Sequence, residues 1–243
     1  MIKKRGYSPT MYSYKRSGYW NEPTEYQTAS YGPRILECIR ENEEDMLEAL
    51  MEAGLSPNAC NQHGESLLHI TCRCSNVNLF DSLIKHGADV SQTDDHGRTP
   101  LHDCCWAAQP SFAIAHELLR RDKFALFLLD AHGSTPLSYI TKKNWGQWNF
   151  FLEQAIDDLF PHGGKQQGTR LFDMEPNSRK VVDPENALTL EMATKLAMGE
   201  LDPREIYHDH EDDDSVHSVV MDSNALRVEL EQRRNSFSHL TAW

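Results

Sequence analysis

Long apolar runs are missing from this 243-residue chain. None approaches the roughly 20 residues that a membrane-spanning helix needs, so membrane insertion is not expected. Catalytic signatures are missing too. There is no G-x-S-x-G elbow, no glycine-rich phosphate loop and no H-E-x-x-H pair, and Gly163-Gly164-Lys165 lacks the rest of a P-loop. Neither an enzyme nor a bound cofactor is expected. The opening MIKKRGYSPTMYSY has no apolar core of the signal-peptide kind. The six cysteines are therefore read as reduced, mostly buried thiols of a cytoplasmic or nuclear protein. Positive charge is scarce: 24 Lys+Arg stand against 37 Asp+Glu, a formal net charge of −13. That balance argues against nucleic-acid binding through bulk electrostatics. Apolar residues make up 39% of the chain, lean for a packed domain of this length.

What is present is unevenly distributed. Residues 1–30 carry five basic and two acidic side chains and are rich in tyrosine. Residues 31–160 carry 10 and 19, and residues 161–243 carry 9 and 16. The middle third holds a repeat. HGESLLHITC from His63, HGRTPLHDCC from His96 and HGSTPLSYIT from His132 share one pattern, with Gly64, Gly97 and Gly133 spaced by 33 and 36 residues. Gly54 and Gly87 are also 33 apart, each ten residues before the next His-Gly. Two markers in one register point to a stacked architecture.

One unit can be built from its residues. Gly64, Gly97 and Gly133 suit turns that need a positive φ. Thr99 and Thr135 can cap helices opening with Pro100 and Pro136, where proline costs nothing. A second helix through Leu79, Phe80, Leu83 and Ile84 stops at Gly87. Two such helices cannot bury both apolar faces alone; stacked units can.

These residues resemble the ankyrin-repeat family. Gly97-Arg98-Thr99-Pro100-Leu101-His102 follows the G-x-T-P-L-H opening, and Leu83-Ile84-Lys85-His86-Gly87-Ala88-Asp89-Val90 follows the L-L-x-x-G-A-D-V close. The resemblance covers residues 31–160 and implies an all-α solenoid of about four helix-turn-helix units. The first unit, from Tyr31 to Asn61, lacks the signature and reads as an amino-terminal cap. The third carries three extra residues between Trp106 and Phe112, and WGQWNFFLEQAIDDLF reads as a carboxy-terminal cap.

The resemblance implies a protein partner held in a concave groove lined by the turns and first helices. Mapped residue by residue, the partner-binding positions are Gln62, His63, Glu65 and Arg73 in the second unit. In the third they are Asp95, His96, Arg98 and Trp106, and in the fourth His132, Lys142 and Lys143. Trp106 beside Arg73 and Arg98 has the composition of an interface hot spot, and the arginines and lysines would suit an acidic or mixed partner segment. The repeat histidines His69 and His102 are read as turn supports. Their neighbours Cys72, Cys74, Cys104 and Cys105 leave a metal- or redox-sensing alternative, but no paired zinc spacing occurs and no metal site is assigned. A monomer is expected.

Outside the repeats, residues 1–30 read as a disordered basic arm. Residues 161–243 read as an acidic tail with two short helical stretches, 185–198 and 223–233, that fold on a partner or dock on the repeats. Leu188, Met192 and Leu196 would form the apolar face of the first. Arg233-Arg234-Asn235-Ser236 resembles a basophilic kinase site, making Ser236 a candidate for phosphorylation.

Overall fold

A computed structural model describes residues 2–8, 10–16, 18–19, 22–162 and 183–206. Ser236, the stretch 223–233 and the acidic run 211–214 lie outside the described residues.

The repeat register becomes a stack of helix pairs. The first unit is α2 (Pro33–Glu41) and α3 (Glu44–Glu52). The second is α4 (Leu67–Cys74) and α5 (Val77–Lys85), and the third is α6 (Pro100–Trp106) and α7 (Phe112–Arg121). In the fourth, the first helix shrinks to a 3-10 turn, Pro136–Tyr139, and the second lengthens into α8 (Trp145–Leu159). Ser138 explains part of that loss, because it stands where the other two units have a histidine. His69 and His102 close capping boxes: each Nδ1 accepts the backbone N–H of Ser66 or Thr99, at 3.1 and 3.0 Å. Those bonds satisfy an amide that the helix start would otherwise leave open. His69 also uses its Nε2 to reach the Arg98 carbonyl at 2.9 Å, tying the second unit to the third.

The turns repeat with equal regularity. Gly64, Gly97 and Gly133 have φ of +75°, +74° and +73°. Ahead of each stands a residue whose Oδ1 accepts two amides, two and four positions on. Asn61 takes His63 and Glu65, Asp94 takes His96 and Arg98, and Asp130 takes His132 and Ser134. This is a third marker in the same register. Neighbouring turns are stitched by Asp95 N–H to the His63 carbonyl and Ala131 N–H to the His96 carbonyl, at 2.8 and 2.7 Å.

One core runs the length of the stack, through Ile35, Leu47, Leu50, Leu67, Leu79, Phe80, Leu83, Leu101, Ile114 and Leu119. Cys38, Cys72, Cys104 and Cys105 lie in it as small apolar residues, and Cys74 at the end of α4 is exposed.

Both ends of the chain join this stack. The basic arm lies along the repeats: β1 (Tyr12–Ser13) pairs in parallel with β2 (Leu128–Leu129), and Tyr7, Tyr14 and Tyr19 are buried. Tyr7 meets Phe160 edge-on, Tyr12 donates to the Phe124 carbonyl at 2.8 Å, and Tyr19 donates to Asp122. Composition alone suggested an unattached segment. The tyrosines change that: Tyr7, Tyr14 and Tyr19 bury their rings, and Tyr12 and Tyr19 also donate a hydroxyl bond to the stack.

The arm leads into α1 (Glu25–Ala29), with which α9 (Leu190–Met198) packs over α2. The helix starts later than the 185–198 pattern suggests, because Thr189 serves as its N-cap. Its buried face is Ala193, Leu196 and Ala197, whereas Met192 is exposed and Leu188 half-buried. The first unit is therefore not the terminal layer. Its outer side is covered by α1 and α9, and the wetted face belongs to α9, where Glu191 and Lys195 pair at 2.7 Å.

Candidate functional site

The register that builds the stack also aligns its inner face. Positions 65, 98 and 134 are equivalent, as are 70, 103 and 139, and 73, 106 and 142. The equivalent residues are Glu65, Arg98 and Ser134; Ile70, Asp103 and Tyr139; Arg73, Trp106 and Lys142. Helix α4 packs closely on α6, and α6 on the 3-10 turn of the fourth unit, so these columns become one surface.

At its centre is a linked cluster. Arg73 pairs with Glu65 of its own unit, and its Nη1 stands 3.9 Å from Asp103 of the next. The guanidinium lies over the Trp106 ring, 5.9 Å from its centroid. Trp106 meets Tyr139 at 6.4 Å, and Tyr139 meets the buried His102 ring at 5.6 Å. Tyr139 donates to Asp130 at 2.5 Å. Arg98 holds Asp94 through Nε and Nη2, at 2.6 and 2.5 Å. Trp106 remains 46% exposed at the middle of this array, so the extra residues after it do not fold it into the core.

Electrostatics follow from that packing. Burial raises the Asp103 carboxyl, and His69, Arg73 and Arg98 pull it back only in part. Burial also works to raise Asp130, but the bonds from Tyr139 and the amides of Ser134 and His132 outweigh it and hold this carboxyl low. Burial pushes His102 down to about 4, which keeps the imidazole neutral and free to accept from Thr99. Burial first, then the Asp130 acceptor, pushes the Tyr139 phenol well up.

The remaining candidate residues lie along the turns. Gln62 Nε2 and His63 Nε2 are 3.2 Å apart, and His63 Nδ1 is 3.0 Å from Asp95. His96 lies 3.7 Å from the same carboxylate, and its ring is 5.8 Å from that of His132. His96 and His132 lean toward one another, closer than the roughly 10 Å spacing of packed helices. Lys142 and Lys143 are exposed on the 3-10 turn Lys142–Asn144, beyond the cluster. Asp103 and Tyr139 escaped the sequence reading, although their position, just after the capping histidine or its Ser138 equivalent, repeats in register.

Among the described residues, no three His, Cys, Asp or Glu side chains converge as metal ligands. Burial pushes the Cys104 thiol up to about 12 and raises Cys72 and Cys105 well above the usual range, so these thiols hold no thiolate at neutral pH. No helix of the described residues is long and apolar enough to cross a membrane.

Residues 35–125 match the family model for ankyrin repeats, in three copies. An ADP-ribosylation factor GTPase-activating protein of Arabidopsis thaliana, AGD2, is 41% identical over 76 residues, 27% of this chain and 10% of that protein. A cyclin-dependent kinase inhibitor 2A from Monodelphis domestica is 27% identical over 128 residues, 52% of this chain and 72% of that protein. A palmitoyltransferase, AKR1 of Lachancea kluyveri, is 29% identical over 119 residues, 47% of this chain and 16% of that protein. The match to the plant protein thus spans a tenth of its length.

Proposed function

Because the chain belongs to the ankyrin-repeat family through residues 35–125, we propose that it is an adaptor or regulatory subunit that binds another protein on its inner face. It has no chemistry of its own in this reading. One observation carries it: a half-exposed Trp106, held between the Arg73 guanidinium and Tyr139, sits at the centre of a face built from three units. Large aromatic side chains already fixed in place lose little entropy on binding, which is why they anchor interfaces. The named activities of the relatives belong to those proteins and are not carried over.

All six cysteines are free, which suits a reducing compartment such as the cytoplasm or nucleus, where the chain would work as a monomer. The metal- or redox-sensing alternative has little to stand on, given that only Cys74 of the six thiols is exposed and that no ligand cluster forms among the described residues. A pull-down with the full chain tests the face. Trp106→Ala should remove the specific partners; retention of every partner by that variant, with an unchanged melting profile, would overturn the reading.

A further inference from the structure

We infer that the partner segment received on this face is acidic, and that Lys142 and Lys143 meet its aspartate or glutamate side chains beside the Trp106 anchor. The inference rests on the binding reading above and names the chemistry of what binds. It also narrows the expectation from sequence, which drew on the arginines as much as on the lysines.

The arginines are already spent. Arg98 holds Asp94 through two bonds, and Arg73 holds Glu65 while standing over Asp103. The side chains of Asp94 and Asp103 are 3% and 4% exposed, against 23% and 33% for Arg98 and Arg73. Over the second and third units the guanidinium groups therefore stand outermost but neutralised. Lys142 and Lys143 differ: both are exposed, and no carboxylate pairs with either among the described residues. An ammonium without an internal partner gives up no ion pair when a carboxylate arrives, whereas Arg73 and Arg98 would have to share theirs.

A second, independent observation agrees. Residues 131–152 contain no aspartate or glutamate, and neither do residues 104–116, in a chain that carries 37 of them. The two acid-free stretches meet. Asn144 donates its side-chain amide to the carbonyls of Ala107 and Ala108, at 3.4 and 3.3 Å, which sets the lysine turn against the chain just after Trp106. Tyr139 meets the Trp106 ring at 6.4 Å, and Asp130 is buried behind the Tyr139 hydroxyl. Trp145, two residues after Lys143, is half-exposed, with its Nε1–H donated to the Ile140 carbonyl at 3.0 Å. Two half-exposed indoles, each fixed by a neighbour, thus border two unpaired ammonium groups. In a chain of net charge −13, that corner presents positive potential next to an apolar anchor, which steers a segment of opposite charge onto it.

The test is a random peptide library displayed on phage and selected on the immobilised full chain, in parallel with its Trp106→Ala variant. Peptides that depend on Trp106 should carry net negative charge. A synthetic copy of the leading peptide, followed by stopped-flow fluorescence, should bind the double variant Lys142→Glu, Lys143→Glu about tenfold more weakly, chiefly through slower association. That loss should shrink as salt is raised from about 0.05 to about 0.3 M. Trp106-dependent peptides that are basic or neutral would overturn the acidic partner while sparing the face, as would acidic ones indifferent to the double variant. The selection is repeated on a full chain with Glu211→Gln, Asp212→Asn, Asp213→Asn and Asp214→Asn. Acidic peptides enriched only there would mean that the chain's own tail, and not a partner, takes the site. No Trp106-dependent peptide in either selection would count against the binding face itself.

Discussion

The two ends of the stack are closed by different means. At the first unit, a helix distant in sequence does the work. α9 buries Ala193, Leu196 and Ala197 against α1 and α2, and approaches so closely that a Cβ on Gly32 would stand 2.4 Å from the Ala197 carbonyl oxygen. At the fourth unit, closure is mostly local. α8 buries Trp148 against Phe112 while leaving Trp145 and Phe150 exposed, and the arm adds Tyr7 against Phe160. A stack cannot leave an apolar face to water at either end. The first end is sealed by small side chains under a polar helix, the second by rings whose edges stay wet. The packing at the first end is the tighter of the two, so it has less room to absorb a lost side chain.

That contrast is open to a direct break. Leu196 is fully buried. Leu196→Ala should cost about 2–4 kcal/mol in urea unfolding, limited at the upper end by release of α9 as a whole. Hydrogen exchange should then rise in α1 and α2 and stay unchanged in α8. Faster exchange spread evenly over all four units would mean that α9 does not act as a cap.

How far this could be read from the sequence follows from periodicity. Gly64, Gly97 and Gly133 gave the register, and with it the placement of Arg73, Arg98 and Trp106 on one face. The pairing inside that face was not legible, because Asp103 reads as an ordinary helix acid until the burial of its side chain is known. The arm and α9 were harder still. Nothing local in Tyr7, Tyr14 or Leu196 says what they pack against; those contacts join residues far apart in the chain, as Tyr12 with Phe124 and Leu188 with Tyr26 also do. Composition averages over such contacts and reports only polarity.

Mild acidity should act first on the third unit, between the two ends. Burial holds His102 at about 4, below its ordinary value near 6.5, so the unfolded chain binds the extra proton between those two values. The stability that this neutral histidine contributes is complete above about pH 6.5 and is lost as pH falls toward 4. Between pH 7.5 and pH 5 the loss amounts to about 2 kcal/mol. His102→Gln keeps a capping side chain that does not titrate, and should flatten this part of the profile. An equally steep decline in that variant would place the sensitive group elsewhere. Because the first end is joined to the second unit through α2 and α4 and the fourth unit rests on α6, both ends should lose stability together.

The finest test uses two glycines with the same backbone and different surroundings. Gly97 and Gly133 have φ of +74° and +73°, so alanine at either position carries similar strain, about 1 kcal/mol. At Gly133 a Cβ would meet nothing within 4 Å, while at Gly97 it would stand 2.3 Å from the Tyr14 ring. Gly97→Ala should therefore cost more than Gly133→Ala, by about 1 kcal/mol for the displaced contact. The signature is local: trypsin should cut after Lys15 faster in Gly97→Ala and at the wild-type rate in Gly133→Ala. Equal cutting in the two variants would show that the arm is held by Tyr7 and Tyr12 without help from Tyr14. In that case the second end is fastened at Phe160 and Phe124.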